Sequence, residues 1–84
     1  MVNVEIYTTR TCPFCIRAKA LLASKNIEYT EIDVQADPRV KTQMIKRSQG
    51  ARSVPQIFIG NEHIGGCDEL FALESKNALD VMLA

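Results

Sequence analysis

The chain opens on a period of two. Val2, Val4 and Ile6 alternate with Asn3, Glu5 and Tyr7, the pattern of a strand with one apolar face, and it ends near Thr8 or Thr9. From Pro13 to Asn26 the period lengthens to that of a helix. Cys15, Ala18, Leu21 and Leu22 form one apolar group, and Ile16, Ala20 and Ala23 form a second, leaving Arg17 and Ser24 outward. So broad a belt predicts burial on two sides. Asn26 ends that helix, and Ile27 to Val34 reads as a second strand in which Ile32 and Val34 alternate with Glu31 and Asp33. A strand, a helix and a strand in this order imply a parallel pair.

Asp37-Pro38 is a helix start in residue chemistry, an N-cap acceptor followed by proline in the first position. Val40, Met44 and Ile45 then supply the inner stripe, and Gly50 is the stop. Ser53-Val54-Pro55 opens a third strand, Gln56 to Ile59, and Gly60-Asn61 is a two-residue hairpin signal leading into Glu62 to Gly65, so the last two strands are antiparallel. Gly65-Gly66-Cys67-Asp68 breaks the pattern. After it, Leu70, Phe71 and Leu73, then Ala78, Leu79, Val81, Met82 and Leu83, read as short closing helices. No repeat or linker interrupts residues 1–84, which are expected to form one domain.

Composition narrows the setting. With 84 residues, 46% of them apolar, the chain can bury a modest single core without obligatory staples. No basic segment followed by an apolar run opens it, and no apolar stretch approaches membrane-spanning length, so the expected address is cytoplasmic. Three cysteines are an odd number, which fits a reduced compartment and a transient bond better than a stapled secreted fold. Ten basic and ten acidic residues give a net charge of zero, and hence no general attraction to nucleic acid or an anionic membrane. Arg39, Lys41, Lys46, Arg47 and Arg52 do form a basic block, read as a solvated helix face, the alternative being that part of it attracts an anionic small molecule.

The candidate chemistry sits where the first strand pattern gives way to the first helix pattern. In Cys12-Pro13-Phe14-Cys15, proline suits the first turn, which puts Cys12 at the helix boundary and Cys15 inside it. Unpaired backbone N–H groups and the helix dipole then favour an ionised sulfur on Cys12, which is the expected nucleophile. Acidity adds little to attack, because nucleophilicity falls with pKa, but it makes the sulfur a good leaving group. Cys15, one turn away, is the resolving thiol, and the two form the redox-active disulfide. An alternative from another class is a Cys3His zinc site using Cys12, Cys15, His63 and Cys67.

Cys12-Pro13-Phe14-Cys15, Ser53-Val54-Pro55 and Gly65-Gly66-Cys67-Asp68, in this order and spacing, make the chain resemble the glutaredoxins over its whole length, in particular the small bacterial dithiol members. The resemblance implies an α/β thioredoxin-like fold, a four-stranded mixed sheet flanked by helices on both faces, with a cis bond before Pro55. It implies thiol–disulfide exchange with glutathione as co-substrate, no tightly bound cofactor and no metal. Gly66, Cys67 and Asp68 would hold the γ-glutamyl end of glutathione, Val54 and Pro55 its cysteinyl backbone, and Phe14 would line the groove. The family often carries lysine where Thr9 stands, so Arg10 or Arg52 is expected to meet the glycyl carboxylate; Phe14 replaces the usual tyrosine, and Ser53 the usual threonine. Cys12 is expected to attack the protein sulfur of a glutathionylated substrate, or a disulfide sulfur, with glutathione or Cys15 resolving the intermediate. Glutathionylated or disulfide-containing proteins, ribonucleotide reductase among them, are the implied partners of a monomer. An iron–sulfur carrier and a thioredoxin are the nearer rivals.

Overall fold

The computed structural model describes residues 2–84. Its elements run β1 (Val4–Thr8), α1 (Pro13–Ser24), β2 (Thr30–Asp33), α2 (Pro38–Arg47), β3 (Gln56–Ile59), β4 (Glu62–Gly65), α3 (Cys67–Ser75) and α4 (Leu79–Leu83). The strands form one sheet in the order β2-β1-β3-β4. β1 pairs in parallel with β2 and antiparallel with β3, and β3 pairs antiparallel with β4. The parallel crossover and the hairpin both lie where the turn residues put them.

Each face of the sheet is covered. Val4, Ile6, Ile57 and Ile59 pack with Ala18 and Leu22 of α1, Leu70 of α3 and Leu79 and Leu83 of α4. Tyr7 and Phe58 point the other way and pack with Val34 and Met44, and Val40 and Ile45 of α2 close over them. The period of two along β1 therefore serves two cores. Tyr7, which falls on the polar side of the alternation, is fully buried in the second of them.

Arg47 completes that second face. Its guanidinium lies 4.1 Å from the centroid of the Phe58 ring, donates to Tyr7 Oη at 2.9 Å and pairs with Glu5 Oε1 at 2.9 Å. A flat cation stacked on one ring and fixed by two oxygens is a role that lysine cannot copy. Arg39 is likewise engaged, with Asp37, the N-cap of α2. Of the basic block, Lys41, Lys46 and Arg52 are exposed.

Two sequence expectations are corrected. The second strand begins at Thr30, because Ile27 is used to end α1: its N–H bonds Leu22 O at 3.1 Å while Asn26 adopts φ 58°. This left-handed close satisfies carbonyls at the helix end and delays the strand. The second apolar group of α1 is not buried. Ile16 is 59% exposed, and Ala20 and Ala23 face outward, because the sheet and α3 cover only the stripe of Cys15, Ala18 and Leu22.

Replacing Arg47 by alanine should cost about 1–3 kcal/mol, since it strips a stacked ion pair from a partly buried site. Arg47→Lys should recover less than half of that loss. Urea unfolding at neutral pH is the check; a lysine variant as stable as wild type would remove this role for the guanidinium.

Candidate active site

Cys12 is the N-cap of α1, with φ −95° and ψ 108°, and Pro13 follows in the first helical position. Its sulfur accepts the Cys15 N–H at 3.1 Å, one of the orphan donors that every helix start carries. That contact suits a sulfur anion. On its other side the Cys12 thiol lies 3.7 Å from the Val54 carbonyl, to which it can donate when protonated. Cys12 keeps 9% of its surface, against none for Cys15 and 5% for Cys67.

The other two thiols are held neutral. Burial, reinforced by the hydrogen bond with Cys12, pushes the Cys15 thiol up to about 12. Burial also raises Cys67, although the Arg17 charge pulls the other way. A desolvated sulfur pays heavily for ionising, so both stay protonated at neutral pH.

Three segments converge on an open groove of about 230 Å³ lined by Phe14, Ser53, Val54, Pro55, Gly66, Cys67, Asp68 and Glu69. Phe14 comes from the first turn of α1 and is 54% exposed. The Val54–Pro55 peptide is cis. The start of α3 comes close: a Cβ on Gly66 would stand 3.3 Å from the Pro55 carbonyl oxygen. Gly65 sits at φ 121°, where an added Cβ would meet the Glu69 side chain at 2.8 Å. Glycine is required there on both grounds.

Asp68 is not the N-cap of α3. Gly66 is, and the Glu69 carboxylate reaches back to accept the Gly66 N–H at 2.7 Å. Asp68 is thereby left exposed in the first turn beside the groove. The sequence reading missed Glu69; its signal was the spacing of Gly66 and Glu69, the reach of a capping glutamate.

Six of the residues singled out beside the cysteines, Phe14, Val54, Pro55, Gly66, Cys67 and Asp68, meet in this groove. Arg10 does not. Its guanidinium is exposed and turned toward Asp33 at 3.9 Å, in a separate depression with Thr8, Thr9, Lys19 and Glu31. His63, the fourth member of the zinc alternative, is bonded through Nε2 to Gln56 Oε1 at 2.6 Å and lies against the Phe58 ring. Among the described residues no group of three or more histidine, cysteine or acidic side chains is arranged to hold a metal ion.

Comparison with known proteins agrees with this geometry. The family model described as Glutaredoxin matches residues 4–64. The chain belongs to the glutaredoxin family. It is 53% identical to Glutaredoxin 3 of Escherichia coli K12 over 83 residues, covering 99% of each chain, and 53% identical to Glutaredoxin 1 of Rickettsia prowazekii, covering 96% of this chain and 86% of that one. Among solved structures it is similar to the solution structure of glutaredoxin from Brucella melitensis, with a TM-score of 0.86 and 53% identity over 99% of this chain and 89% of that one. The crystal structure of a buckwheat glutaredoxin–glutathione complex gives a TM-score of 0.89 at 26% identity, covering 98% of this chain and 76% of that one. The fold is thioredoxin-like, membership of the glutaredoxin family supports a thiol oxidoreductase role, and Cys12 and Cys15 lie close together.

The raised Cys15 thiol makes stability depend on pH. From about 9 upward the unfolded chain releases this proton while the folded chain keeps it until about 12, so the contribution is full below 9 and is lost as the pH climbs through that window. Stability from urea unfolding should fall between pH 9 and pH 11, and less steeply in Cys15→Ala. Equal slopes in the two proteins would show that the thiol is not held neutral.

Proposed function

We propose that this glutaredoxin is a glutathione-dependent thiol–disulfide oxidoreductase that reduces glutathione mixed disulfides and protein disulfides through Cys12 and Cys15. The observation that carries the reading is the Cys12 sulfur lying 3.7 Å from the carbonyl of Val54, a residue that lines one open groove together with the start of α3. The structural likeness to a glutaredoxin–glutathione complex supports the same ligand.

Val54 offers backbone groups that an extended cysteinyl backbone can meet as an added strand, with Pro55 beside it and Phe14 as the wall. The first turn of α3, at Gly66 and Cys67, suits the γ-glutamyl carboxylate, and Asp68 suits its ammonium. Arg10 is turned away to Asp33, so Arg52, adjacent in sequence to the groove residue Ser53, is the cation assigned to the glycyl carboxylate.

With the tripeptide in the groove, the sulfur beside Cys12 is the glutathione sulfur rather than the protein sulfur expected from the sequence. The Cys12 thiolate attacks it, and the disulfide bond breaks. The electron pair leaves on the substrate's sulfur, which takes a proton from water. A second glutathione, as thiolate, then attacks the glutathione sulfur of the mixed disulfide. Glutathione disulfide departs and the Cys12 thiolate returns. For a protein disulfide, Cys12 attacks one sulfur, and Cys15 gives its proton to solvent and attacks Cys12. The reduced substrate leaves, and two glutathiones reduce the Cys12–Cys15 bond. The reaction is assigned to the cytoplasm, where a glutathione pool would sustain the exchange, and to glutathionylated and disulfide-containing proteins as substrates.

Glutathione-dependent reduction of a small glutathione mixed disulfide tests the reading. Cys12→Ser should fall to the uncatalysed rate, whereas Cys15→Ser should stay within about twofold of wild type, because glutathione can resolve the intermediate itself. Reduction of a protein disulfide should require both thiols. Comparable activity in Cys12→Ser would refute the assignment of the nucleophile.

A further inference from the structure

Behind the groove wall a chain of hydrogen bonds runs from β4 to the loop before Pro55. The His63 ring meets Gln56 Oε1 at 2.6 Å. Gln56 Nε2 donates to the Ser53 carbonyl at 3.0 Å and approaches Ser53 Oγ at 3.4 Å. Gln56 is 4% exposed, a position where a polar side chain is kept only if its hydrogen bonds are made. Ser53 and Val54 line the groove, and the Val54 carbonyl lies beside the Cys12 sulfur.

The direction of each bond follows from chemistry. A carbonyl oxygen only accepts, so the amide nitrogen of Gln56 must face Ser53, and its oxygen must face His63. The ring nitrogen there, Nε2, must then carry a proton. Stacking at 5.0 Å between the His63 and Phe58 ring centroids fixes the ring that does the donating.

We propose that His63 and Gln56 are positioning residues for substrate: they hold the Ser53–Val54 edge at the spacing that accepts the backbone of a glutathionyl group, without touching it. This rests on the glutathione reading of the groove. The loop is also anchored on its far side, where Ser48 Oγ accepts the Ala51 N–H at 3.1 Å, and the Gln56 amide is the tie that joins the sheet to Ser53, next to the binding edge. Losing it frees Ser53 and with it the adjoining Val54, whose backbone pairs with the ligand, and leaves the cap contact between Cys12 and Cys15 in place.

The test is steady-state reduction of a glutathionylated cysteine peptide at saturating glutathione by wild type, Gln56→Met, His63→Phe and His63→Gln. Met keeps the volume of Gln56 and Phe keeps the stack on Phe58, while both remove the bonds; Gln at 63 restores an N–H donor. KM for the peptide should rise about tenfold in Gln56→Met and in His63→Phe, as expected for losing a hydrogen-bonded tie worth about 1.4 kcal/mol. The maximal rate should stay within twofold, and His63→Gln should recover most of the lost KM. Should Gln56→Met fail to fold, the two His63 variants decide the matter alone. Unchanged KM in folded variants overturns the proposal, and so does an equal deficit in His63→Gln and His63→Phe. A wild-type protein that does not use glutathione at all would instead refute the reading of the groove.

Discussion

A backbone N–H aimed at a sulfur is the contact on which the site depends. Cys15 donates it to Cys12 from 3.1 Å, and it exists only because Cys12 caps a helix whose first residue is proline. Proline lacks the donor it would otherwise waste there and brings a φ that fits the helix. Cys15 itself then points into the core, fully buried. One turn of helix thus produces two thiols of opposite character, one bonded by a donor at the boundary and one desolvated inside.

Everything that faces Cys12 is brought to it by loops, and each loop is held by its own device. The loop before β3 carries the cis peptide and is tied through Gln56. The start of α3 is held by Glu69 on the Gly66 N–H, and the missing side chain of Gly66 lets it come close to the Pro55 carbonyl. The sheet beneath is packed on both faces and gives these segments a common base. A groove whose walls are built in advance loses less freedom when a flexible tripeptide settles in it.

Turn and cap chemistry was the legible part of the sequence. Asp37-Pro38, Gly60-Asn61 and Cys12-Pro13 each marked an element boundary that the structure keeps, because proline and the capping acceptors act through local geometry. The expectations that missed needed tertiary information. Ile27 looks like a strand residue, yet its N–H closes α1. Ile16, Ala20 and Ala23 look like a second buried face, but no neighbouring element reaches them. Arg47 reads as one cation in a basic block, whereas its use, stacked on Phe58 and bonded to Tyr7 and Glu5, depends on residues of other elements, Tyr7 and Glu5 being some forty positions away. Within the site, the two motifs around Pro55 and Gly66 were visible as motifs. Arg10 was not placeable, because its partner Asp33 lies at the end of a different strand.

The central claim is that one sulfur of three is built to react. Labelling with iodoacetamide at mildly acidic pH, followed by mass spectrometry of the cysteine peptides from the reduced, folded protein, tests it most directly. Cys12 should be alkylated at least about tenfold faster than Cys15 or Cys67, whose burial keeps them as neutral thiols. Labelling of Cys15 or Cys67 at a rate equal to that of Cys12 would contradict the account.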